Sequence, residues 1–220
     1  FHGAHSSASK NYPWSKPGVA LRLILLEFSW NASVSFRPGT ADSDENKIMH
    51  DEGYIKFESD WIKGPSPSWY KIQALAEWRQ RMFEVGLIGS HPDGIGYGNI
   101  SIRDSPANEF LITGSMTGHV KELGPEHFTR ILSYDFDRNK VRCKGPITAS
   151  SETMTHAAFY HASRSINAVI HIHNADMWRT YQDKMPTTSS DVTYGTPEMA
   201  YEVIRLLQKK DRPAKQLLIM

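Results

Sequence analysis

The sequence predicts a mixed α/β domain, because clear helix starts are separated by strand-like segments. Ser66-Pro67-Ser68 opens the first helix, with a serine as the cap and a proline in the first turn. Thr196-Pro197-Glu198 opens the last helix, and its glutamate lies at the positive end of the helix dipole. Between them, residues 99–103 and 167–173 have the composition and alternation of strands.

The first helix is predicted to be followed by a loop and a hairpin. An apolar stripe carries the first helix to Leu87, and Gly86 and Gly89 mark its end. The glycine-rich segment that follows lacks the spacing of a dinucleotide-binding fingerprint and leads into a strand, which excludes that type of site. Residues 109–113 are predicted to pair with residues 99–103 as a hairpin.

The middle of the chain predicts one short helix, two strands and a longer helix. Gly124-Pro125-Glu126 predicts a helix through residue 132. Residues 134–143 predict two short strands joined by a turn at residues 137–139. Ser150 or Ser151 is predicted to cap a helix that ends near residue 164, just before the strand at residues 167–173.

The last part of the chain predicts one helix and one strand. The helix that starts at Thr196 is expected to end at Lys209-Lys210, where basic side chains suit the negative end of the dipole. Residues 217–220 then read as an apolar strand. The folded domain is predicted to cover residues 61–220 and to be incomplete at its carboxyl end.

The beginning of the chain differs in composition from the rest. Residues 1–60 are predicted to be an irregular extension, because most of this stretch is rich in Ser, Asn, Pro, Gly and Asp and has no sustained periodicity. Met49 is a candidate for the natural start of the folded unit. An apolar run at residues 19–28 is interrupted by Arg22 and Glu27, and it is shorter than the roughly 20 residues that a membrane-spanning helix needs.

Charge and cysteine content exclude several classes of function. A formal net charge of +1 gives no electrostatic reason to expect nucleic acid or a membrane surface as partner. One cysteine, Cys143, rules out an intrachain disulfide and favours a reducing compartment, so a cytoplasmic protein is predicted.

Two histidines in a predicted strand form the first candidate site. A strand sends alternate side chains to the same face, so His171 and His173 point together while Ile170 and Ile172 pack on the other side. Two convergent imidazoles are suitable metal ligands, although a zinc site needs three or four protein ligands and such a pair can also be ordinary packing. His156, on the preceding helix, is interpreted as a packing or surface residue.

Two hydroxyl-rich segments are candidates for anion binding. Ser150-Ser151-Glu152 either starts a helix or presents hydroxyls and backbone N–H groups to a phosphate, with Glu152 placed for proton transfer. The loop of residues 113–118 is either an ordinary turn or a second wall of the same phosphate pocket.

Five short motifs occur in an order that resembles the class II aldolase/adducin family, over roughly residues 69–220. Each motif is weak alone, but their order is specific. The motifs are Gly98-Asn99-Ile100-Ser101-x-Arg103, Phe110-Leu111-Ile112-Thr113-Gly114, Ser150-Ser151-Glu152, Asn167-Ala168-Val169-Ile170-His171-Ile172-His173 and Gly195-Thr196-x-Glu198.

The resemblance implies a three-layer α/β/α fold around a central, mainly antiparallel sheet, assembled as a homotetramer. It also implies Zn²⁺ or another divalent metal held by His171 and His173, with Glu152 as the acid/base. A third histidine is expected just after the strand that begins at Leu217. The residues implied to hold a substrate phosphate are Asn99, Thr113, Gly114, Thr117, Gly118, Ser150 and Ser151.

The predicted function is that of a metal-dependent, aldolase-type lyase acting on a small phosphorylated sugar. The metal would stabilise the enediolate formed when a carbon–carbon bond breaks, and Glu152 would move the proton. Epimerase, dehydratase and decarboxylase reactions use a similar metal-stabilised enediolate and are alternatives. A non-catalytic, adducin-head-like assembly module is the alternative from another class, and the presence of His171, His173 and Glu152 favours the enzyme.

Overall fold

The computed structural model describes residues 25–28, 54–92, 94–208 and 217–220, with the backbone alone for residues 25–28. The strands are β1 (Leu25–Phe28), β2 (Glu58–Lys63), β3 (Gly89–Ser90), β4 (Gly96–Tyr97), β5 (Asn99–Arg103), β6 (Phe110–Thr113), β7 (Phe128–Asp135), β8 (Lys140–Gly145), β9 (Ala168–His173) and β10 (Leu217–Ile219). The α-helices are α1 (Trp69–Glu84), α2 (Thr153–Ala162), α3 (Ala175–Tyr181) and α4 (Pro197–Gln208).

Eight of the described strands form one mixed sheet in the order β10-β1-β9-β5-β6-β7-β8-β2. Its centre is antiparallel, because β9, β5, β6, β7 and β8 pair in that sense. Its edges are parallel: β1 pairs with both β9 and β10, and β2 pairs with β8. The predicted central, mainly antiparallel sheet is confirmed, with parallel strands added at both edges.

Helices cover both faces of this sheet, so the predicted three-layer α/β/α fold is confirmed. Strand β6 illustrates the alternation: Phe110 and Ile112 pack in the core shared with α2 and α4, whereas Leu111 packs in the core shared with α1. Each face therefore has its own apolar core. Among the described helices, none is both long enough and apolar enough to cross a lipid bilayer.

One predicted element is wrong: residues 124–132 do not form a helix. A single 3₁₀ turn occupies Pro125–His127, and the chain then enters the long strand β7. Thr129 and Ile131 are β-branched and buried, and β7 pairs with β6 on one side and β8 on the other. Pairing on both sides outweighs the helix preference of Gly-Pro-Glu, so the helical structure lasts for one turn only.

The helix starts are shifted slightly from their predicted positions. Ser68 is the N-cap residue of α1, so Pro67 precedes the helix instead of lying in its first turn. Glu152, rather than either serine, occupies the N-cap position of α2. Thr196 precedes Pro197 as predicted, and its hydroxyl accepts from the backbone N–H of Met199 at 3.4 Å. Helix α3 has no counterpart in the sequence-based prediction.

The amino-terminal region contains part of the sheet. Residues 1–60 are predicted to be irregular, and β1, which comes from the apolar run at residues 19–28, is a four-residue exception. Strand β2 begins at Glu58, just before the predicted boundary. The division at residue 60 stays a prediction, and both Met49 and the helix end at Lys209-Lys210 lie outside the described residues.

Candidate active site

A cavity of about 630 Å³ opens beside the start of α2 and the ends of β5 and β9. It gathers segments that are far apart in the sequence, including all but one of the predicted site residues. Those that line it are Asn99, Gly114, Thr117, Gly118, Ser150, Ser151, Glu152, His171 and His173. Tyr54, Tyr97, Met116 and Tyr194, which the sequence does not single out, complete parts of the wall.

The histidine pair lies on the face of β9 that looks toward α2. Val169 packs in the core on this face, whereas Ile170 and Ile172 pack in the opposite core, as the alternation predicts. The ring centroids of His171 and His173 are 4.9 Å apart, so the two imidazoles are neighbours.

Strand register places Asn99 directly opposite His171. The side-chain amide nitrogen of Asn99 lies 3.5 Å from Nδ1 of His171, while Oδ1 of Asn99 and Nε2 of His171 are buried without a hydrogen-bond partner among the described residues. Rotating the amide by 180° brings Oδ1 to Nδ1–H, which leaves the Nε2 lone pair available. The Asn99 amide can therefore fix which ring nitrogen of His171 binds a ligand.

Burial keeps both imidazoles neutral. His171 is 3% exposed, and burial lowers its pKa to about 4. Burial, together with the nearby rings of His171 and His91, holds the pKa of His173 well below its ordinary range. Neutral imidazole is the form that binds metals, so the pair is in the required protonation state at neutral pH.

Glu152 reaches the cavity from the N-cap position of α2. Glu152 is 6% exposed, and the Thr155 hydroxyl donates to its Oε2 at 2.8 Å. Ser150 organises the same turn, because its carbonyl accepts from the N–H and the hydroxyl of Thr153. A carboxylate, two serines and the positive end of a helix therefore share one wall of the cavity.

The loop of residues 114–118 forms an adjacent wall. Gly114 forms an isolated antiparallel bridge with Ala149, and the Thr117 hydroxyl donates to the Gly114 carbonyl at 2.9 Å. A Cβ atom on Gly118 would lie 2.2 Å from the Gly89 carbonyl oxygen, so only glycine fits there. This loop therefore lies beside the serines at the start of α2.

Thr113 is the predicted site residue that does not line the cavity. Its hydroxyl is buried and accepts from the backbone N–H of Ile100 at 3.2 Å, which links β6 to β5. In the described structure this hydroxyl supports the sheet and does not face the cavity.

Two buried polar groups lie near the site but do not belong to the predicted set of site residues. Arg79 lies under the loop and donates to the carbonyls of Thr117, Gly118 and Lys121. Arg79 lies on the same face of α1 as the buried residues Ile72 and Ala76. This position within an apolar stripe is the sequence signal that could have revealed its burial.

The second group is a hydrogen-bonded chain behind the histidine pair. The Ser101 hydroxyl lies 2.6 Å from Nδ1 of His156 and 2.7 Å from the Tyr160 hydroxyl. Burial and the neighbouring His171 ring hold the pKa of His156 well below its ordinary range. Of the two predicted interpretations of His156, a packing or a surface residue, the structure excludes the second, because His156 is fully buried behind the cavity.

The histidine pair fits a divalent metal as two ligands. Both rings are neutral and adjacent, and Nε2 of His171 is buried without a hydrogen-bond partner in the described part of the chain. Among the described residues, no group of three His, Cys, Asp or Glu side chains converges as a complete metal site. The described residues can thus offer two of the three or four protein ligands that a zinc site needs.

The fold and the cavity define a class of protein: an α/β/α domain with a cavity lined by a histidine pair and a carboxylate. Residues 73–211 match the family model described as Class II Aldolase and Adducin N-terminal domain. The chain belongs to the class II aldolase and adducin family, as the motif order predicts.

A solved structure gives one further comparison. L-fuculose 1-phosphate aldolase is similar to this chain with a TM-score of 0.49 and 21% identity. The similarity covers 70% of this chain and 73% of that one. No curated protein matches the chain.

Proposed function

We propose that this protein is a metal-dependent, aldolase-type lyase that cleaves a small phosphorylated sugar. One observation carries the proposal: neutral His171 and His173, the Glu152 carboxylate and the serine-rich start of α2 line the same cavity. Membership of the family, whose model names class II aldolases, supports this chemistry.

The phosphate of the substrate would bind at the start of α2. Ser150 and Ser151 offer hydroxyls there, and helix N-termini attract anions through their exposed N–H groups and the helix dipole. The loop that carries Gly114, Thr117 and Gly118 lies against the same region and would bind the phosphate from the other side.

Glu152 would transfer the proton that accompanies carbon–carbon bond cleavage. Its low exposure excludes most water, and the Thr155 hydroxyl holds the carboxylate in one orientation. An acid/base group that is fixed close to the phosphate of the bound substrate can reach the substrate carbon atoms next to that phosphate.

His171 and His173 would hold the divalent metal, which we propose to be zinc. When bound, such a metal supplies Lewis-acid stabilisation of the negative charge that develops on a substrate oxygen. Asn99 would orient the His171 ring through Nδ1. Asn99 is therefore proposed to position a metal-binding histidine as well as to bind the phosphate.

Assembly and location are the remaining parts of the proposal. We propose a homotetramer, as the family resemblance implies. We also propose a cytoplasmic location, on the basis of the single cysteine and the absence of a possible intrachain disulfide. Sedimentation of the natural full-length protein and its localisation in cells test these two points.

A metal assay combined with a substrate panel tests the function. The natural full-length protein should contain about one divalent metal ion per chain, lose turnover with a chelator and regain it with Zn²⁺. On a panel of small sugar phosphates, it should release two shorter carbonyl compounds. The His161→Ala variant is the control, because this histidine lies on α2 but does not line the cavity.

Other outcomes identify the alternatives. A protein that holds metal and converts one sugar phosphate into an isomer, or removes water or carbon dioxide, would be an epimerase, dehydratase or decarboxylase. A full-length protein that binds neither metal nor sugar phosphate would contradict the enzyme and favour an adducin-like assembly module.

A further inference from the structure

Arg79 is a buried cation directly beneath one wall of the candidate active site. Arg79 is 1% exposed, its guanidinium carbon lies 4.6 Å from the centre of the Phe83 ring, and no carboxylate in the described part of the chain pairs with it. Burial lowers its pKa to about 10, so it remains charged at neutral pH. A buried charge without a counter-ion is costly, so its hydrogen bonds must compensate.

All of these hydrogen bonds are donated to backbone carbonyls of one loop, residues 117–121. Nη1 donates to Lys121 at 2.8 Å, and Nη2 donates to Thr117 at 3.0 Å and to Gly118 at 2.9 Å. Thr117 and Gly118 line the cavity, whereas Arg79 does not, so the loop lies between the guanidinium and the cavity.

These contacts fix the direction of the peptide groups. In a trans peptide the N–H points away from the C=O, and no cis peptide occurs among the described residues. Because the Thr117 and Gly118 carbonyls face Arg79, the N–H groups of Gly118 and His119 face the opposite way. Peptide N–H groups held in this way form an anion-binding surface.

The β3–β4 hairpin restrains the loop as well. The Gly89 carbonyl and the Gly96 Cα would lie 2.2 and 2.7 Å from a Cβ on Gly118, so the β3–β4 hairpin packs directly on the loop. The loop therefore has little freedom to turn its peptide groups by itself.

We propose that Arg79 is a positioning residue for phosphate recognition. It holds the loop of residues 117–121 so that the N–H group of Gly118 binds the substrate phosphate opposite Ser150 and Ser151. This inference rests on the proposed phosphate site and adds the residue that builds one of its walls.

Titration with inorganic phosphate tests the proposal on the natural full-length protein. Calorimetry gives the Kd for wild type, Arg79→Met and Arg79→Lys, and thermal unfolding gives the stability of each. The Met variant should bind phosphate about tenfold or more weakly. The Lys variant should fall between the two, because an ammonium group keeps the charge but cannot bridge three carbonyls.

Two control variants separate positioning from general damage. Arg103→Met removes another guanidinium that donates to backbone carbonyls, those of Tyr160, Ser163 and Ile166, away from the cavity. Arg81→Met removes an exposed charge from the same helix. Both should keep the wild-type phosphate Kd, even where Arg103→Met lowers the unfolding temperature as much as Arg79→Met does.

The possible outcomes decide the matter. An Arg79→Met protein that binds phosphate within twofold of wild type overturns the proposal and leaves the proposed function intact. If that variant does not fold, Arg79→Lys replaces it, and wild-type phosphate affinity in the Lys variant overturns the proposal. A wild-type protein that binds no phosphate overturns the phosphate site of the proposed function, and this inference with it.

Discussion

The two faces of strands β5 and β9 differ sharply in chemistry. On the α1 side, Ile100, Ile170 and Ile172 belong to an uninterrupted apolar core. On the α2 side, the same two strands present His171 and Asn99 to a cavity, with further polar groups behind them.

The apolar face supplies stability, which allows the other face to carry polar groups. Buried polar and neutral titratable groups contribute little to stability and become costly when a partner is missing. In each strand an isoleucine is the sequence neighbour of a polar site residue and points to the opposite face. The isoleucines therefore hold the strands in place without contacting the cavity. Changes to the apolar face should therefore alter stability, and changes to the polar face should alter activity and metal binding.

The largest effect is expected for Glu152→Gln, on the polar face. The amide keeps the size of the side chain but cannot transfer a proton, so kcat should fall by about 10²–10⁴. The unfolding temperature should change little, which steady-state kinetics and calorimetry check together. Glu77→Gln, an exposed substitution on α1, serves as the control. Undiminished turnover by the Glu152 variant would refute its role as the acid/base.

Ile172→Ala, on the apolar face, should have the opposite profile. Ile172 is fully buried, and its truncation should lower the free energy of unfolding by about 2–5 kcal/mol. The folded fraction should keep its metal content and kcat, because the side chain points away from the cavity. Urea unfolding and metal analysis measure the two quantities. Loss of metal without loss of stability would show that the two faces are not independent.

The metal-free protein should lose stability as the pH falls. Unfolded histidine takes up a proton near pH 6.5, whereas burial lowers the pKa of His171 to about 4, so the unfolded state binds more protons between these values. The free energy of unfolding should be highest above pH 6.5 and decline toward pH 4, by about 3 kcal/mol from this residue.

Urea unfolding at several pH values measures this dependence. The His171→Gln variant, which cannot titrate at this position, should show a shallower slope over the same range. The proposed explanation fails if the slopes of the two proteins are equal. Ile172→Ala should shift the whole curve downward and leave its slope unchanged, because an apolar side chain binds no proton.

The smallest effect is expected for Asn99, which contacts His171. Asn99→Ala should weaken metal binding by about 10–100-fold, since partners that orient a ligating histidine typically contribute that much. Asn99→Asp keeps an acceptor for Nδ1–H and should retain most of the metal affinity while weakening phosphate binding. A competition titration with a chelating dye gives the affinities. Equal metal binding by wild type and the Ala variant would contradict an orienting role.

Local signals predicted the parts of the site that depend on one element. Alternation along a strand was sufficient to place His171 and His173 on one face, and the start of α2 was readable from its serines and glutamate. These features depend on neighbours in the sequence, so the prediction and the structure agree to within a residue or two.

Features that depend on distant partners were not predictable in this way. The helix assigned to residues 124–132 failed because β7 pairs with strands on both sides, which a local start signal does not reveal. Thr113 was assigned to the phosphate, but its hydroxyl binds the backbone of β5. Arg79 was missed because its partners lie about forty residues away.

Strand β1 has a consequence for the order of folding. Leu25 pairs with both Ile170 and Leu217, so this early segment is inserted between two strands from the far end of the chain. Such pairing requires closure of very long loops, which is slow, whereas the β5–β8 meander needs only short ones. The meander is therefore expected to form first, and the edge that carries β1 and β10 should be the last to assemble.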